Sequence, residues 1–509
     1  LGTGFFVPLE ERNEHMVPSL EEVQAIADAG DFCRIPVRRE IMADSLTPIQ
    51  AIAKLRAASH HCFLLESAEP DERWGRYTFL GFKPSVEITC TNGVMRIREH
   101  VETDHQKMIE RRVDHPAETL REILAAHKSA VVEGMPPFTG GLVGYFAYDY
   151  LKYAEPTLRT SSEPQDFLDM DLMLFENVIA FDSYRQKICI IGGVDANDIE
   201  HSYEAIDAEL AAIESLLLDG ARAHFAPLRL AEPLEPLLAR DAYAAMVRAA
   251  QDHIREGDIF QVVLSNPHRA KVTGSLFDTY RILRCENPSP YMFYFTSDDV
   301  EIVGSSPETL VRLERGELFT YPLAGTRPRG ATPEEDAANE AELRANEKEL
   351  AEHNMLVDLG RNDLGRISEL GSVKVEKYQE ILRFSKVMHI GSTVQSTIAE
   401  GKDALDAIDS ILPAGTLSGA PKLRACEIIR ELEGNNRGIY GGAIGYLDFT
   451  GGLDLCIAIR LAYKKNGVVC VQSGAGIVAD SDPDAEFDEC YNKARAVMQA
   501  IEESQGGIA

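Results

Sequence analysis

The stretch that most restricts how this chain folds runs from Ile439 to Lys493. Three apolar runs, Ile439–Phe449, Leu453–Tyr463 and Val468–Ser473, are separated by Thr450-Gly451-Gly452 and Asn466-Gly467. Turns this short join only antiparallel neighbours, so the segment reads as a meander. The meander delivers the chain into Ser473-Gly474-Ala475-Gly476, read here as a small-residue turn whose backbone approaches a ligand and aims N–H groups at an anion. Asp482-Pro483 then supplies an N-cap and a first helical residue. On the helix that follows, Phe487, Cys490, Ala494, Val497 and Ile501 form one apolar stripe. Glu486, Glu489 and Lys493 run beside it at i, i+3 and i+7. Carboxylates and an ammonium at the rim of a buried face fit either a surface ion-pair row or the meeting place of a metal and an anionic substrate.

The chain has 509 residues, long enough for two or more domains. At 45% hydrophobic and 26% charged residues its composition is that of a globular protein. No apolar run approaches the ~18 residues of a membrane span, so no membrane partner is expected. The leader LGTGFFVPLEERNE lacks the positive start and apolar core of a signal peptide. Nine cysteines without a C-x-x-C spacing fit reduced thiols in the cytoplasm. A formal charge of −31 repels a phosphate backbone and argues against nucleic acid. An anionic ligand would need local cations or Mg²⁺ here.

In chain order, a capping box at Ser19–Glu22 opens a short helix ending at Gly30, and Thr47-Pro48 starts another through Ala58. Strands are expected at His61–Ser67, Trp74–Gly81, Val86–Thr91 and Val94–Arg98, with Asn92-Gly93 as a hairpin turn. A helix near Ala117–His127 is followed by strands at Phe138–Tyr148, Leu172–Asp182 and Lys187–Ile191, then a helix over Ile199–Leu218. Residues 220–236, rich in Pro and Ala, read as a linker between an N-terminal domain (18–219) and a C-terminal one (237–509). Past the linker come a helix Asp241–Glu256 capped by Asp241 and stopped at Gly257, a buried strand Asp258–Ser265, and a helix Ser275–Cys285. Tyr321–Arg327 reads as a small-residue loop and Pro333–Leu359 as one acidic helix with a buried end.

Several polar residues stand where chemistry needs them. The pairs Glu349/Glu352 and Glu486/Glu489 repeat E-x-x-E on two helices. An all-carboxylate set suits Mg²⁺, while salt bridges to Lys348 and Lys493 explain the pairs equally well. Arg460 interrupts an apolar run and needs an anion, either a substrate carboxylate or a structural acid. His389 fits a general base or a hydrogen-bonded core histidine, and Tyr440 a substrate donor or a packing residue.

Together these pieces resemble the anthranilate synthase component I group of chorismate-utilising enzymes, from about Pro18 to Glu503. The matching runs are Glu347–Asp363, Leu412–Lys422, Gly438–Tyr446, Gln472–Pro483 and Glu486–Ala494. The resemblance implies an α+β fold of large, mostly antiparallel β-sheets stacked in a central sandwich with helices outside. It also implies a lyase that converts chorismate and ammonia to anthranilate and pyruvate in tryptophan biosynthesis. Mg²⁺ would be held by Glu352 and Glu489, with Glu349 and Glu486 supporting its waters. Arg460, Tyr440, Lys493 and the Gly474, Ala475 and Gly476 backbone would hold the substrate's enolpyruvyl side and carboxylates. Gly325 and Thr326 would line the other ring edge, Glu308 would be the acid for the departing hydroxyl, and His389 would assist loss of the ring proton.

The same resemblance separates the relatives. Gln261 stands where water-using members carry a lysine base, which favours ammonia as nucleophile. Ala324 stands where many aminodeoxychorismate synthases carry a nucleophilic lysine. Leu65, Glu66 and Ser67 with Pro290, Tyr291 and Met292 match the feedback site for tryptophan, an expected inhibitor. No nucleophile elbow for glutamine hydrolysis is present, so a glutamine amidotransferase subunit is implied, in a heterodimer or heterotetramer. An aminodeoxychorismate synthase and a non-catalytic tryptophan sensor are the competing readings.

Overall fold

The computed structural model describes residues 16–67, 75–158, 167–383 and 387–508. The leader and Trp74 lie outside the described residues.

Two large antiparallel sheets make the frame. One is ordered Arg34–Met42, Lys187–Asp195, Val178–Asp182, Tyr77–Phe82, Cys62–Glu66, Tyr291–Thr296, Val300–Ser306, Leu461–Lys465, Val468–Ile477 and Gln261–Thr273. The other is ordered Leu323–Pro328, Val387–Thr397, Glu317–Thr320, Thr309–Glu314, Leu453–Ile457, Ala443–Asp448, Gly141–Phe146, Met170–Phe175, Val86–Thr91, Val94–Glu99 and Lys107–Arg112. Each sheet joins one block of strands from before residues 220–236 to one block from after them, at the pairs Cys62–Glu66 with Tyr291–Thr296 and Gly141–Phe146 with Ala443–Asp448. Within 220–236 itself, Arg229–Leu230 and Glu235–Pro236 pair with the strand Gln261–Thr273.

The sheets face each other across one apolar layer that includes Phe63, Phe175, Phe293, Ile444 and Leu461. Alternation of side chains turns neighbours the other way: Cys62 and Leu64 meet a helical layer that includes Leu210, Val497 and Ile501. The second sheet is backed in the same way, by Leu120, Leu364 and Ile408 among others. Strands covered on both faces read as continuous apolar runs, which is why so many were visible in the sequence.

Many expected elements are present, including the capping box at Ser19 and helices Pro48–Ala58, Pro116–Ala126 and Ile199–Asp219. The hairpin turn at Asn92 and Gly93 has positive φ at both residues, 50° and 74°. Other expectations change. The helix Arg240–Glu256 is preceded by Ala239, with no side-chain cap, so Asp241 lies in its first turn; Gly257 ends it in the left-handed region. Asn346 divides the acidic helix into Pro333–Ala345 and Glu347–Gly365, because its side chain caps the second by accepting from the Glu349 N–H. Leu172–Asp182 is two strands, one in each sheet. Strand Gln261–Thr273 runs further than expected because most of its length pairs with Val468–Ile477.

Three corrections bear on function. Ser473–Gly476 is not a turn: it continues the strand Val468–Ile477, with Gly474 opposite Ser265 and Gly476 opposite Val263. Tyr321–Arg327 is not wholly a loop either: Leu323–Pro328 is a strand with a bulge at Gly325, whose φ is 67°. The run Leu453–Tyr463 breaks at Ala458–Arg460, where the chain leaves one sheet and enters the other. Arg460 stands in this crossing with φ 52°, so it interrupts a strand by ending it.

Candidate active site

The crossing, the strand end at Gly474–Gly476 and two helices bring most of the expected residues together. Strand pairing places Gly474 and Gly476 over Gln261–Thr273, and the glycines are needed there. A Cβ on Gly474 would lie 2.7 Å from the Leu264 carbonyl oxygen and 2.9 Å from the Tyr440 hydroxyl. On Gly476 it would lie 2.7 Å from Gln261 Nε2. The signal read as a turn thus reports close approach of two polar side chains to a flat strand. Ala475 is buried on the opposite face.

Lys493 Nζ reaches back from its helix to donate to the Gly474 carbonyl at 3.2 Å and pairs with Glu489 at 2.7 Å. Opposite, Gly325 leaves space for Glu349, whose Oε2 would be 3.2 Å from a Cβ at that position. Glu349 is paired with Arg327 at 3.2 Å, and Arg327 also binds Glu342. Burial, then the like charges of Glu349 and Glu489, raise the Glu352 carboxyl above its ordinary value. Burial and Glu489 do the same to Glu486, opposed by its hydrogen bond from Ser481 and by the charges of Lys493 and Lys348. Each helix's glutamates therefore feel the charges of the other helix. Among the described residues, the carboxylate–histidine groups already drawn within 4.8 Å of one another lie elsewhere, at His61/Glu87/Asp298 and His253/Glu256/Asp258.

The four glutamates form an excess of negative charge, held in part by Lys493 and Arg327. An oxygen-only donor set with raised carboxyls fits a hard divalent cation, which would relieve the repulsion.

Glu308 follows the strand Val300–Ser306 and accepts from Thr416 Oγ1 at 3.1 Å. Burial pushes its carboxyl up to about 7, against the opposing effects of Thr416 and Lys493. Its backbone is fixed by the Ile457 N–H, 2.9 Å from the Glu308 carbonyl. Glu308, Thr416, Gly360 and Asp363 are among the residues lining a cavity of about 440 Å³. His389 and Thr326 are directly opposite in paired strands, with Nδ1 3.0 Å from Thr326 Oγ1 and 3.1 Å from the Gly325 carbonyl. Burial lowers the His389 pKa, and the positive charge of Arg460 lowers it further.

Arg460 has no carboxylate partner among the described residues. Surrounding protein lowers its pKa, opposed by Tyr440. Arg460 is exposed, and a guanidinium without an internal anion is open to an external one.

Two contributors carried no role in the sequence reading. Thr416 lies inside the run Leu412–Lys422, whose length was the only signal. Arg437 is 2% exposed; it pairs with Glu433, donates to the Leu417 carbonyl at 2.6 Å and the Val263 carbonyl at 2.7 Å, and lies under the rings of Tyr148 and Tyr440. It ties the floor of the site together, and a lone arginine in a polar stretch gave no hint of it.

The six residues expected at a regulatory site, Leu65, Glu66, Ser67, Pro290, Tyr291 and Met292, all line one cavity of about 690 Å³ between the sheets. Pairing of Cys62–Glu66 with Tyr291–Thr296, Met292 opposite Glu66, brings them together.

A two-sheet sandwich carrying carboxylate pairs on two helices and, at a sheet crossing, an arginine without a carboxylate partner among the described residues defines a class of small-anion enzymes. The chain belongs to the chorismate binding enzyme family, which matches residues 60–499. It is 44% identical over 495 residues to anthranilate synthase component 1 of Acetivibrio thermocellus, covering 96% of this chain and 99% of that one. It is 42% identical over 492 residues to anthranilate synthase component 1 of Aquifex aeolicus, covering 95% and 97%. The solved anthranilate synthase component I of Streptococcus pneumoniae superposes with TM-score 0.73 at 39% identity, covering 90% of this chain and 99% of that one. The menaquinone-specific isochorismate synthase of Escherichia coli shares the fold, with TM-score 0.66 at 19% identity over 95% of this chain and 98% of that one. No helix among the described residues is long and apolar enough to cross a membrane.

Proposed function

We propose that this chain is the large subunit of an anthranilate synthase, converting chorismate and ammonia to anthranilate, pyruvate and water. The observation that carries the reading is the Arg460 guanidinium, which has no carboxylate partner among the described residues. It stands near Tyr440 and His389 in a site that also holds Glu308 and the glutamates of two helices. Relatives of this name, similar over nearly their whole length, support it.

Chorismate carries two carboxylates on opposite parts of a small ring. Arg460 and Lys493 supply cations for the enolpyruvyl side, and Tyr440 supplies a hydroxyl. Glu352 and Glu489, with Glu349 and Glu486 behind them, are the residues that would hold Mg²⁺, which draws charge from the ring carboxylate when bound. Gln261 is a neutral amide, unable to deprotonate water, so a nucleophile that is already competent is favoured. As ammonia adds at C2, the C4 hydroxyl leaves as water with the proton that Glu308 holds near neutral pH. His389, kept neutral by burial, then accepts the C2 proton as the C3–oxygen bond breaks; the released enolpyruvate takes a proton and becomes pyruvate. Thr326 and the Gly325 carbonyl hold the imidazole in place.

The ammonia source is a separate glutamine amidotransferase subunit, in keeping with the component 1 designation of the relatives. The inter-sheet cavity, lined by Leu65, Ser67, Pro290, Tyr291 and Met292, is the site at which tryptophan inhibits. Incubation with chorismate, Mg²⁺ and ammonium tests the reading. Fluorescent anthranilate with equimolar pyruvate supports it. A product that keeps the enolpyruvyl group indicates an aminodeoxychorismate synthase, and no turnover indicates a sensor.

A further inference from the structure

The cavity lined by Leu65, Ser67 and Tyr291 and the cavity lined by Glu308 and Thr416 are separated by a single pair of strands, Thr309–Glu314 and Leu453–Ile457. Cys456 lines the first cavity, while its neighbour Ile457 and its cross-strand partner Thr309 line the second. One side chain touches this wall directly. Tyr291, in the first cavity, places its hydroxyl 2.9 Å from Thr309 Oγ1 and 2.8 Å from Asp454 Oδ1. Thr309 is covalently joined to Glu308, and the strand pair is irregular between Thr309 and Val311.

We propose that the Tyr291–Thr309 hydroxyl pair transmits occupancy of the inter-sheet cavity to Glu308. The proposal rests on reading the cavity as the tryptophan site and Glu308 as the acid. A phenol has one proton to give. The carboxylate of Asp454 only accepts, so Tyr291 donates there and accepts from Thr309 Oγ–H. A ligand that displaces the Tyr291 ring removes the acceptor of Thr309 while Asp454 loses its donor. The nearest backbone free to respond is Ser306–Thr309. It is held by Ser306 Oγ donating to the Ile457 carbonyl at 2.7 Å and by the Ile457 N–H on the Glu308 carbonyl at 2.9 Å. The irregularity between Thr309 and Val311 interrupts the strand pairing beside this segment. By linkage, a ligand that weakens chorismate binding through this pair is itself weakened by chorismate to the same extent.

Thr309→Val tests this, because it keeps the shape and leaves Tyr291 its bond to Asp454. Tryptophan binding is measured by equilibrium dialysis and inhibition by anthranilate formation, alongside Thr309→Ser and Tyr291→Phe. The expected result is that Thr309→Val binds tryptophan as the parent does, while saturating tryptophan raises KM for chorismate about tenfold less than in the parent; Thr309→Ser behaves as the parent. Combining Thr309→Val with Tyr291→Phe should add nothing to the loss of coupling. Should the valine protein be too unstable to assay, Thr309→Ala removes the same hydroxyl and must show the same split. Unchanged inhibition in both variants overturns the proposal and leaves the tryptophan reading standing. Loss of tryptophan binding in Thr309→Val also overturns it, since the hydroxyl would then build the cavity. A parent protein that neither binds nor responds to tryptophan removes the regulatory reading and this proposal with it.

Discussion

Thr326 Oγ1 and His389 Nδ1 lie 3.0 Å apart across a bulged strand pair, and the Gly325 carbonyl lies 3.1 Å from the same nitrogen. A carbonyl only accepts, so Nδ1 carries the proton and Nε2 is the basic nitrogen of the ring. Burial keeps this imidazole neutral, and Glu308 is buried enough to keep its own proton. The same burial thus favours an unprotonated imidazole and a protonated carboxyl, the states that the proposed base and acid need.

The rate should follow a bell in pH. His389 is competent once pH exceeds its lowered pKa, and Glu308 is competent until pH rises through about 7, where its proton is lost. Glu308→Gln should abolish the alkaline limb and lower kcat by about 10²–10⁴-fold. A pH–rate profile of both proteins, with chorismate saturating, checks this. The same shift bears on stability: a carboxyl raised from 4.5 to about 7 favours folding below 4.5, and that contribution is lost as pH rises through about 7.

Arg460→Met separates a binding role from a structural one. Loss of a charge-assisted contact of about 1.5–3 kcal/mol should raise KM for chorismate by about 10–150-fold. Because Arg460 is exposed and has no carboxylate partner among the described residues, thermal stability should be little changed. Steady-state kinetics and a melting curve on the same preparation give both numbers.

Arg437 should behave in the opposite way. Arg437→Met leaves Glu433 buried and unpaired, a loss of about 3–5 kcal/mol in urea unfolding. Glu433 also accepts from the Ser265 N–H and hydroxyl, at 2.7 and 2.9 Å, so Arg437→Met/Glu433→Gln should recover part of that loss. Tyr440 loses the cation beneath its ring in either protein, and KM for chorismate should stay raised.

The strands were legible because both faces of each sheet are covered, and the helix Pro483–Glu503 because its Asp-Pro start and apolar stripe are local signals. The edge strand Lys374–Arg383, polar and largely exposed, carried no such pattern. Ser473–Gly476 misled because small residues signal both a turn and a strand pressed by neighbours. Only the partner strand and the side chains of Tyr440 and Gln261 decide between them. Arg460 announced an unmet charge, but its place between two sheets depends on pairings far away in sequence. Arg437 and Thr416 act through contacts with segments remote from them, which spacing cannot reveal.

The most direct test of the central claim is mass spectrometry of the products formed from chorismate and isotopically labelled ammonium, with Mg²⁺ present. The account predicts anthranilate carrying the label on its amino group, with one pyruvate released for each. Unconsumed chorismate, or a labelled product that still holds its enolpyruvyl group, would contradict it.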